Sequence, residues 1–463
     1  MNNHQLEKLG VPRSAFKFAI QGIQKLAKCD NAQMKNVKAL ISSVMTNPDE
    51  YKDNVYFSDL AKSIIEDRDY KPHTPIGFKI WGKDLIDPNA MQQMTNICAI
   101  PVARKAAMMP DSHFCHSIPV GGVVGLENAI SVEMVGPDIA CRIKFSFLDI
   151  KPVDFFKKHN LFCDALNKGT SFGTGGERIH RTEHPVFDKD WNITKVTRES
   201  KDKAYRQLGT SGSSNHFVNF GVVELFEKDE VLGLDAGEYV GIMSHSGSRG
   251  TGADIYRHYG NLAKTMLPDR YKEQGLTPWL DLNTQAGQEY FEAMTLAGDY
   301  AAANHDVIHK NLSKLSGTKI IAGVENHHNF AFKEIHDGKE LIVHRKGATP
   351  ASLGEYGAIP SSMGTPAYIV KGLGNPDSLN SASHGTGRVL SRTQAKNKYN
   401  FKAVKNDLAK KGITVLGAGA DEVPGAYKDI NEVLAAQADL VQPIAKFMPV
   451  IVRMSDDPSR GEN

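Results

Sequence analysis

The sequence predicts an α+β fold, with a helical N-terminal extension over residues 1–74 and a mixed helix–strand domain over 75–463. Three features point there. The first seventy or so residues place apolar side chains at helical spacing. From Ile76 onward, short β-branched runs alternate with glycine-rich loops. Helical segments fall among those runs without the regular alternation that a parallel, doubly wound sheet requires.

In chain order, residues 15–26 (Ala-Phe-Lys-Phe-Ala-Ile-Gln-Gly-Ile-Gln-Lys-Leu) carry a helix-period apolar face, residues 35–44 repeat it, and Pro72 and Pro75 close the segment. Strands are expected at 121–125, 239–243, 320–324, 341–344 and 367–370, where apolar and β-branched residues are bounded by turn formers. The polar, charge-rich stretch 168–206 reads as an exposed excursion. Residues 285–312 read as one long helix, 430–446 as an amphipathic helix, and 450–453 as a short strand after it. Internal repeats, heptads and low-complexity tails are absent from the sequence.

A chain of 463 residues can bury a large core, and its net charge of +2 excludes a strongly basic polyelectrolyte. Contacts with nucleic acid would therefore have to come from local patches. No apolar run reaches the length of a membrane span, and the first residues lack a signal-peptide hydrophobic stretch. The five cysteines (Cys29, Cys98, Cys115, Cys141 and Cys163) are odd in number and contain no Cys-x-x-Cys pair. Reduced thiols in the cytoplasm are expected, with any functional cysteine serving as metal ligand or nucleophile.

Chemistry concentrates in five clusters beside the expected strands: Val135-Gly-Pro-Asp-Ile-Ala-Cys-Arg, Ser214-Asn-His-Phe, Ser244-His-Ser-Gly-Ser-Arg-Gly, Asn326-His-His-Asn-Phe and Ser381-Ala-Ser-His-Gly-Thr-Gly-Arg. Each supplies Asp, Cys, Asn or His, and all but Asn326-His-His-Asn-Phe also contain glycine or serine. A carboxylate, a thiolate and several imidazoles suit a borderline divalent ion (Mn²⁺, Zn²⁺ or Co²⁺) better than Mg²⁺ or Ca²⁺, and a thiolate can bridge two such ions. Taken singly, Asp138 is an ordinary turn cap, Cys141 a buried apolar group and His216 a core histidine. Their shared setting in glycine-rich loops at strand ends favours one site. The last cluster differs: the neutral imidazole of His384 is a competent nucleophile toward phosphorus, and the following glycines with Arg388 and Arg392 suit phosphate oxygens.

These motifs resemble those of the RtcB family of RNA-splicing ligases. The resemblance runs from Gly77-Phe-Lys-Ile-Trp-Gly to about Arg453. It is carried by Met109-Pro-Asp-Ser-His, Pro119-Val-Gly-Gly-Val, Val135-Gly-Pro-Asp-Ile-Ala-Cys, Gly209-Thr-Ser-Gly-Ser-Ser-Asn-His-Phe, His245-Ser-Gly-Ser-Arg-Gly and His327-His-Asn. Further on come Arg345-Lys-Gly-Ala, Ile359-Pro-Ser-Ser-Met-Gly-Thr, Ser383-His-Gly-Thr-Gly-Arg and Ala426-Tyr-Lys-Asp-Ile. The resemblance implies an RtcB-like mixed core and GTP- and Mn²⁺-dependent joining of an RNA 2′,3′-cyclic phosphate or 3′-phosphate end to a 5′-hydroxyl end, in tRNA splicing or RNA repair.

Carried over residue by residue, it implies two Mn²⁺ ions held by Asp138, Cys141, His216, His245 and His328, with Cys141 bridging. His328 is preferred to His327 because it directly precedes Asn329. His384 would become guanylylated. Asn215, Ser362, Gly385, Thr386 and Gly387 would hold phosphates, and Phe217 and Tyr427 would wall the guanine. Arg249, Arg388 and Arg392 would bind RNA phosphates. Some relatives have an archease-like activator, so a partner of that kind is implied as well.

Three positions depart from the family pattern. Asn219 stands in place of an acidic residue, Ala367 in place of a serine, and Arg453-Met454-Ser455 with a polar extension in place of a terminal Lys-Gly. An amide lacks the charge-assisted grip of a carboxylate on the guanine N–H groups, so weaker discrimination of GTP from ATP is expected. The Asp111-Ser-His-Phe-Cys-His segment also lacks the commoner glycine-rich form. Two other readings use the same residues: a binuclear-metal phosphoesterase or an RNA-end nucleotidylating enzyme without ligation, and a non-catalytic RNA-binding protein.

Overall fold

A computed structural model describes residues 1–71, 73–178 and 181–456. Of the residues singled out above, Pro72 and the polar extension beyond 456 lie outside them. The fold is α+β, with the strands gathered into two principal sheets. The chain divides into two compact units, one formed by Met1–Thr74 with Met266–Leu276, the other by the rest of the described chain from Pro75.

The first unit is helical. Its second helix, Phe16–Cys29, buries Ala19, Ile23 and Leu26, and Val37–Thr46 buries Ile41 and Val44. These side chains pack with Leu6, Phe57, Leu60 and Ile64 into one apolar cluster, the interior that the helical periodicity predicts. Within this unit Arg270 pairs with Asp67 and lies 4.9 Å from the centre of the Tyr271 ring.

The main sheet of the second unit uses Arg142–Leu148 (β1), Phe217–Leu225 (β2), Gly237–Ser246 (β3), Ile320–His327 (β4), Tyr356–Ile359 (β5), Ala367–Gly372 (β6), Thr414–Gly417 (β7) and Val441–Met454 (β8). Its spatial order is β4-β1-β3-β2-β8-β6-β5, with β7 joined parallel to β8 and the other pairs antiparallel. Alternating side chains give the sheet two apolar faces. One buries Ile143, Phe145, Met243, Ile369 and Phe447. The other buries Val218, Phe220, Val240 and Ile242 against Phe162, Ile308 and Leu312 of the helices His159–Gly169 and Gln285–Ser316. A second sheet orders Lys79–Ile80, Ala103–His113, Val120–Leu126, Lys339–Lys346 and Asn329–His336 side by side. The expected strands at 121–125, 239–243, 320–324, 341–344 and 367–370 all lie within strands of these sheets.

The long helix spans Gln285–Ser316, starting where the Thr284 hydroxyl accepts from Gly287 N–H and stopping at Gly317, whose φ of +67° leaves helical geometry. Two expectations fail. Residues 168–206 are not a wholly exposed excursion: Val186, Phe187, Trp191 and Ala204 are buried with Tyr300 of the long helix, and Thr194 caps a helix at Lys195–Gln207. The helix expected at 430–446 ends at Ala435, and β8 begins at Val441. Pro443 cannot continue a helix, and pairing with β6 takes over the segment. Among the described residues no helix is long and apolar enough to cross a membrane.

Candidate active site

Sheet register brings the clusters together. In the order β4-β1-β3-β2, His327 pairs with Arg142, Ile143 with His245, and His245 with Phe217. The adjoining residues Cys141, His216 and His328 therefore meet His245 at one edge of the sheet. Cys141 Sγ lies 3.0 Å from His245 Nε2 and 3.4 Å from His216 Nε2. His245 Nε2 lies 3.2 Å from His328 Nε2, and His216 Nε2 lies 3.0 Å from Asp138 Oδ2. Two ligand groups result, Cys141–His245–His328 and Asp138–Cys141–His216, sharing the thiol.

The surrounding backbone fixes how these groups point. His216 Nδ1 donates to Ser211 O at 2.9 Å and His245 Nδ1 to Asn215 O at 3.1 Å, so both Nε2 lone pairs turn inward. Asp138 Oδ2 faces His216 and, among the described residues, has no hydrogen-bond partner. Burial, reinforced by neighbouring imidazoles, pushes His245 and His328 well below the ordinary histidine range. Burial alone would raise Asp138, but the adjoining His216 and Cys141 and the charge of Arg249 outweigh it and hold the carboxyl below the ordinary range. Converging nitrogen lone pairs, a shared sulfur and a buried carboxylate fit a pair of borderline divalent cations. Lone pairs set this close repel one another unless a cation lies among them.

Strain collects around the cluster. Ala140, Ser214 and Arg249 all take positive φ (54°, 62° and 55°), costly for residues with a Cβ and typical of over-determined sites. Gly247 has no side chain because its Cβ would lie 2.2 Å from Asp138 Oδ1.

His384 sits beside the cluster, its ring centre 4.6 Å from that of His328. Its Nδ1 donates to Asp111 Oδ2 at 2.7 Å, and Asp111 is fully buried. This tautomer leaves the lone pair on Nε2. Asp111 is held in turn: Lys428 Nζ donates to Pro110 O (2.9 Å) and Ser112 O (2.8 Å), and Gly387, at φ +70°, lets Asp111 O approach where a Cβ would stand 2.0 Å away. Burial pushes Lys428 down to about 8. The Met109-Pro-Asp-Ser-His motif does not by itself assign Asp111 a role; the local signal for it is an acidic residue directly after a proline near a strand end.

Most of the residues expected to serve the nucleotide and RNA line the same cleft. They are Asn215, Phe217, Ser362, Gly385, Thr386, Gly387, Arg388, Arg392 and Tyr427, with Cys141, His245, His328 and His384. Asp138 and His216 lie behind this wall, against Cys141. Arg249 is not on the cleft surface; its buried guanidinium donates to Thr210 Oγ1 (3.2 Å) and Gly173 O (3.4 Å). Arg388 donates to Tyr427 OH at 3.2 Å, and Arg392 pairs with Glu422 and, at 3.1 Å, with Asp421. Glu422, also on the cleft, went unmentioned at the sequence level. Lys346 lines it too and is buried.

The divergent positions differ in placement. Asn219 lines the cleft with its Oδ1 buried and, among the described residues, without a hydrogen-bond partner, and Met454 lies nearby on the cleft wall. Ala367 is buried in the sheet core, and Arg453 turns away to Leu416 O at 3.2 Å.

The sequence model of the family described as tRNA-splicing ligase RtcB matches the chain in two stretches, 93–192 and 182–455. The chain is 31% identical over 408 residues to the RNA-splicing ligase RtcB1 of Escherichia coli ATCC 25922, covering 81% of this chain and 96% of that protein. It is 30% identical over 444 residues to the tRNA-splicing ligase RtcB of Methanococcus maripaludis (79% and 91% covered). It is 30% identical over 472 residues to the protein of that name from Archaeoglobus fulgidus (83% and 95%). The matched stretches contain the Cys141-centred cluster, His384 and Asp111 alike, and a match of this extent makes the chain a member of the RtcB family.

Proposed function

We propose that the chain is an RNA ligase that joins 2′,3′-cyclic phosphate or 3′-phosphate ends to 5′-hydroxyl ends, using GTP and Mn²⁺, in tRNA splicing or RNA repair. One observation carries this reading: a histidine held with its Nδ1–H on a buried carboxylate, and its Nε2 lone pair available, beside a thiol-centred group of metal ligands. A two-metal hydrolase needs no such histidine.

Asp138, Cys141, His216, His245 and His328 would hold two Mn²⁺ ions, Cys141 serving both. When bound, the ions supply Lewis acidity at phosphate oxygens. His384 Nε2 forms the bond to the α-phosphorus of GTP as pyrophosphate leaves, while Asp111 stabilises the charge appearing on the imidazole. The GMP group then passes to the RNA 3′-phosphate, restoring neutral His384. The 5′-hydroxyl finally displaces GMP from the activated end. Asn215, Ser362 and the Gly385–Thr386–Gly387 backbone would orient phosphates, with Phe217 and Tyr427 against the base. Arg388 and Arg392 are proposed RNA-phosphate ligands; for Arg249 the same role requires its guanidinium to leave Gly173 O. Residues 75–463 would be the catalytic domain and 1–74 an accessory extension. Five cysteines outside any disulfide among the described residues fit action in the cytoplasm, and an archease-like activator is a partner to test.

The test is incubation with Mn²⁺, α-labelled GTP and RNA bearing the two ends. The wild type is expected to form an acid-labile protein adduct and joined RNA, and His384→Ala to form neither while keeping its metal. Removal of terminal phosphate without an adduct would make the protein a phosphoesterase.

A further inference from the structure

The strand Ala103–His113 ends at the cleft, and its last residue lines it. His113 Nδ1 lies 3.1 Å from Asp111 O. A carbonyl only accepts, so Nδ1 carries the hydrogen and Nε2 the lone pair. Among the described residues no protein group is hydrogen-bonded to that Nε2. Burial, with smaller contributions from His384 and Lys428, pushes His113 down to about 4 despite its bond to the backbone. A neutral nitrogen lone pair cannot donate to a phosphate oxygen; its complement is a hydroxyl.

The next residue, Phe114, is an apolar ring 60% exposed. The segment carrying it is anchored, since Gln93 Nε2 donates to Cys115 O at 2.6 Å and to Ser117 O at 2.9 Å. An exposed aromatic ring on the residue that follows a cleft-lining histidine suits stacking by a terminal nucleobase. Stacking platform and proton acceptor are thus adjacent residues, one facing outward and one on the cleft wall.

We infer that His113 and Phe114 form the docking place of the 5′-hydroxyl RNA strand, Phe114 stacking on its terminal base and His113 Nε2 accepting the 5′-hydroxyl proton during sealing. This assignment rests on the ligase reading above. In the sealing step the O5′–P bond forms and the P–O bond to GMP breaks, GMP leaving with the electron pair. The 5′-hydroxyl proton moves to His113 Nε2 and from there to water.

Two variants separate the roles. His113→Asn keeps a donor for Asp111 O but has no ring nitrogen on the cleft wall. With matched RNA ends, Mn²⁺ and GTP, it is expected to nucleotidylate His384 at close to the wild-type rate. It should then accumulate the GMP-activated 3′-end, with sealing slowed by about 10²-fold, the low end of the range for a lost general base because so weakly basic a nitrogen takes the proton with little driving force. Phe114→Ala is expected to raise the half-saturating concentration of the 5′-hydroxyl strand about 5- to 100-fold, with the maximal sealing rate retained. Equal slowing of nucleotidylation and sealing in His113→Asn would reduce His113 to a structural role. Wild-type sealing by either variant would also overturn the assignment. Failure of the wild-type chain itself to form a histidine–nucleotide adduct would remove the ligase reading, and this assignment with it.

Discussion

Replacing Asp111 by asparagine isolates a charge without disturbing a shape. Its Oδ2 lies 2.7 Å from His384 Nδ1, and the residue is fully buried. When Nε2 bonds to phosphorus the imidazole becomes cationic, and the carboxylate lies against it. With the two charge centres about 4 Å apart and an effective dielectric of about 20, the attraction is about 4 kcal/mol. An amide retains the hydrogen bond through its carbonyl oxygen and recovers part of that energy. The net loss is therefore about 2–4 kcal/mol, or about 30- to 1,000-fold in the rate of adduct formation. The assay is the initial rate of acid-labile labelling from α-labelled GTP at saturating Mn²⁺, with metal content measured in parallel. Asp111→Asn is expected to bind metal as the wild type does and to label slowly. Labelling within threefold of the wild type would refute the argument, because the buried carboxylate would then contribute nothing to the charged imidazole.

Cys141 belongs to both ligand groups, so Cys141→Ser is expected to weaken both ions together; elemental analysis showing one equivalent lost and one retained would make the thiol a terminal ligand. Asn219 lines the cleft with an unpartnered Oδ1, and a charge-assisted bond absent there is worth about 1.5–3 kcal/mol. Competition between equal GTP and ATP is therefore expected to show selectivity eroded about 10- to 100-fold relative to Asn219→Glu; a native preference of several thousandfold would mean that other groups read the base. Asp229 supplies a pH-dependent stability term. Burial raises its carboxyl, but Lys371 Nζ at 2.7 Å, the Leu232 amide and the Tyr356 hydroxyl outweigh this and lower it from 3.8 to about 2. A depressed carboxyl stabilises fully above its unfolded value and loses that contribution as the pH falls toward its folded one. Asp229→Asn should thus cost about 2 kcal/mol in urea unfolding at neutral pH, and the gap should narrow as the pH drops from about 5 to 3; a constant gap would contradict the ion-pair account.

What the sequence made legible follows the range of the interactions involved. The long helix could be read locally, because its buried residues, from Tyr290 and Met294 through Ala301 to Ile308 and Leu312, recur at helical spacing. The ligand residues could be nominated because histidine, cysteine and aspartate recur in short motifs at the ends of expected strands, which is a local pattern. That four of them meet depends on the non-sequential order β4-β1-β3-β2, which no local pattern encodes. In 168–206 the charged residues dominate the composition and hide Phe187 and Trp191, which find Tyr300 only after the long helix has packed. In 430–446 a helical spacing of apolar residues outweighed Pro443, although a proline there already excludes a helix interior. Asp111 shows the limit most clearly, since its partner His384 lies 273 residues away in the chain. Each residue alone is compatible with a turn. A carboxylate is held buried against an imidazole only because Lys428 fixes the carbonyls on either side of it and Gly387 leaves room for its backbone. The roles of Lys428 and Gly387 therefore follow from the position of Asp111, and a reading that overlooks the aspartate has no reason to single out either of them.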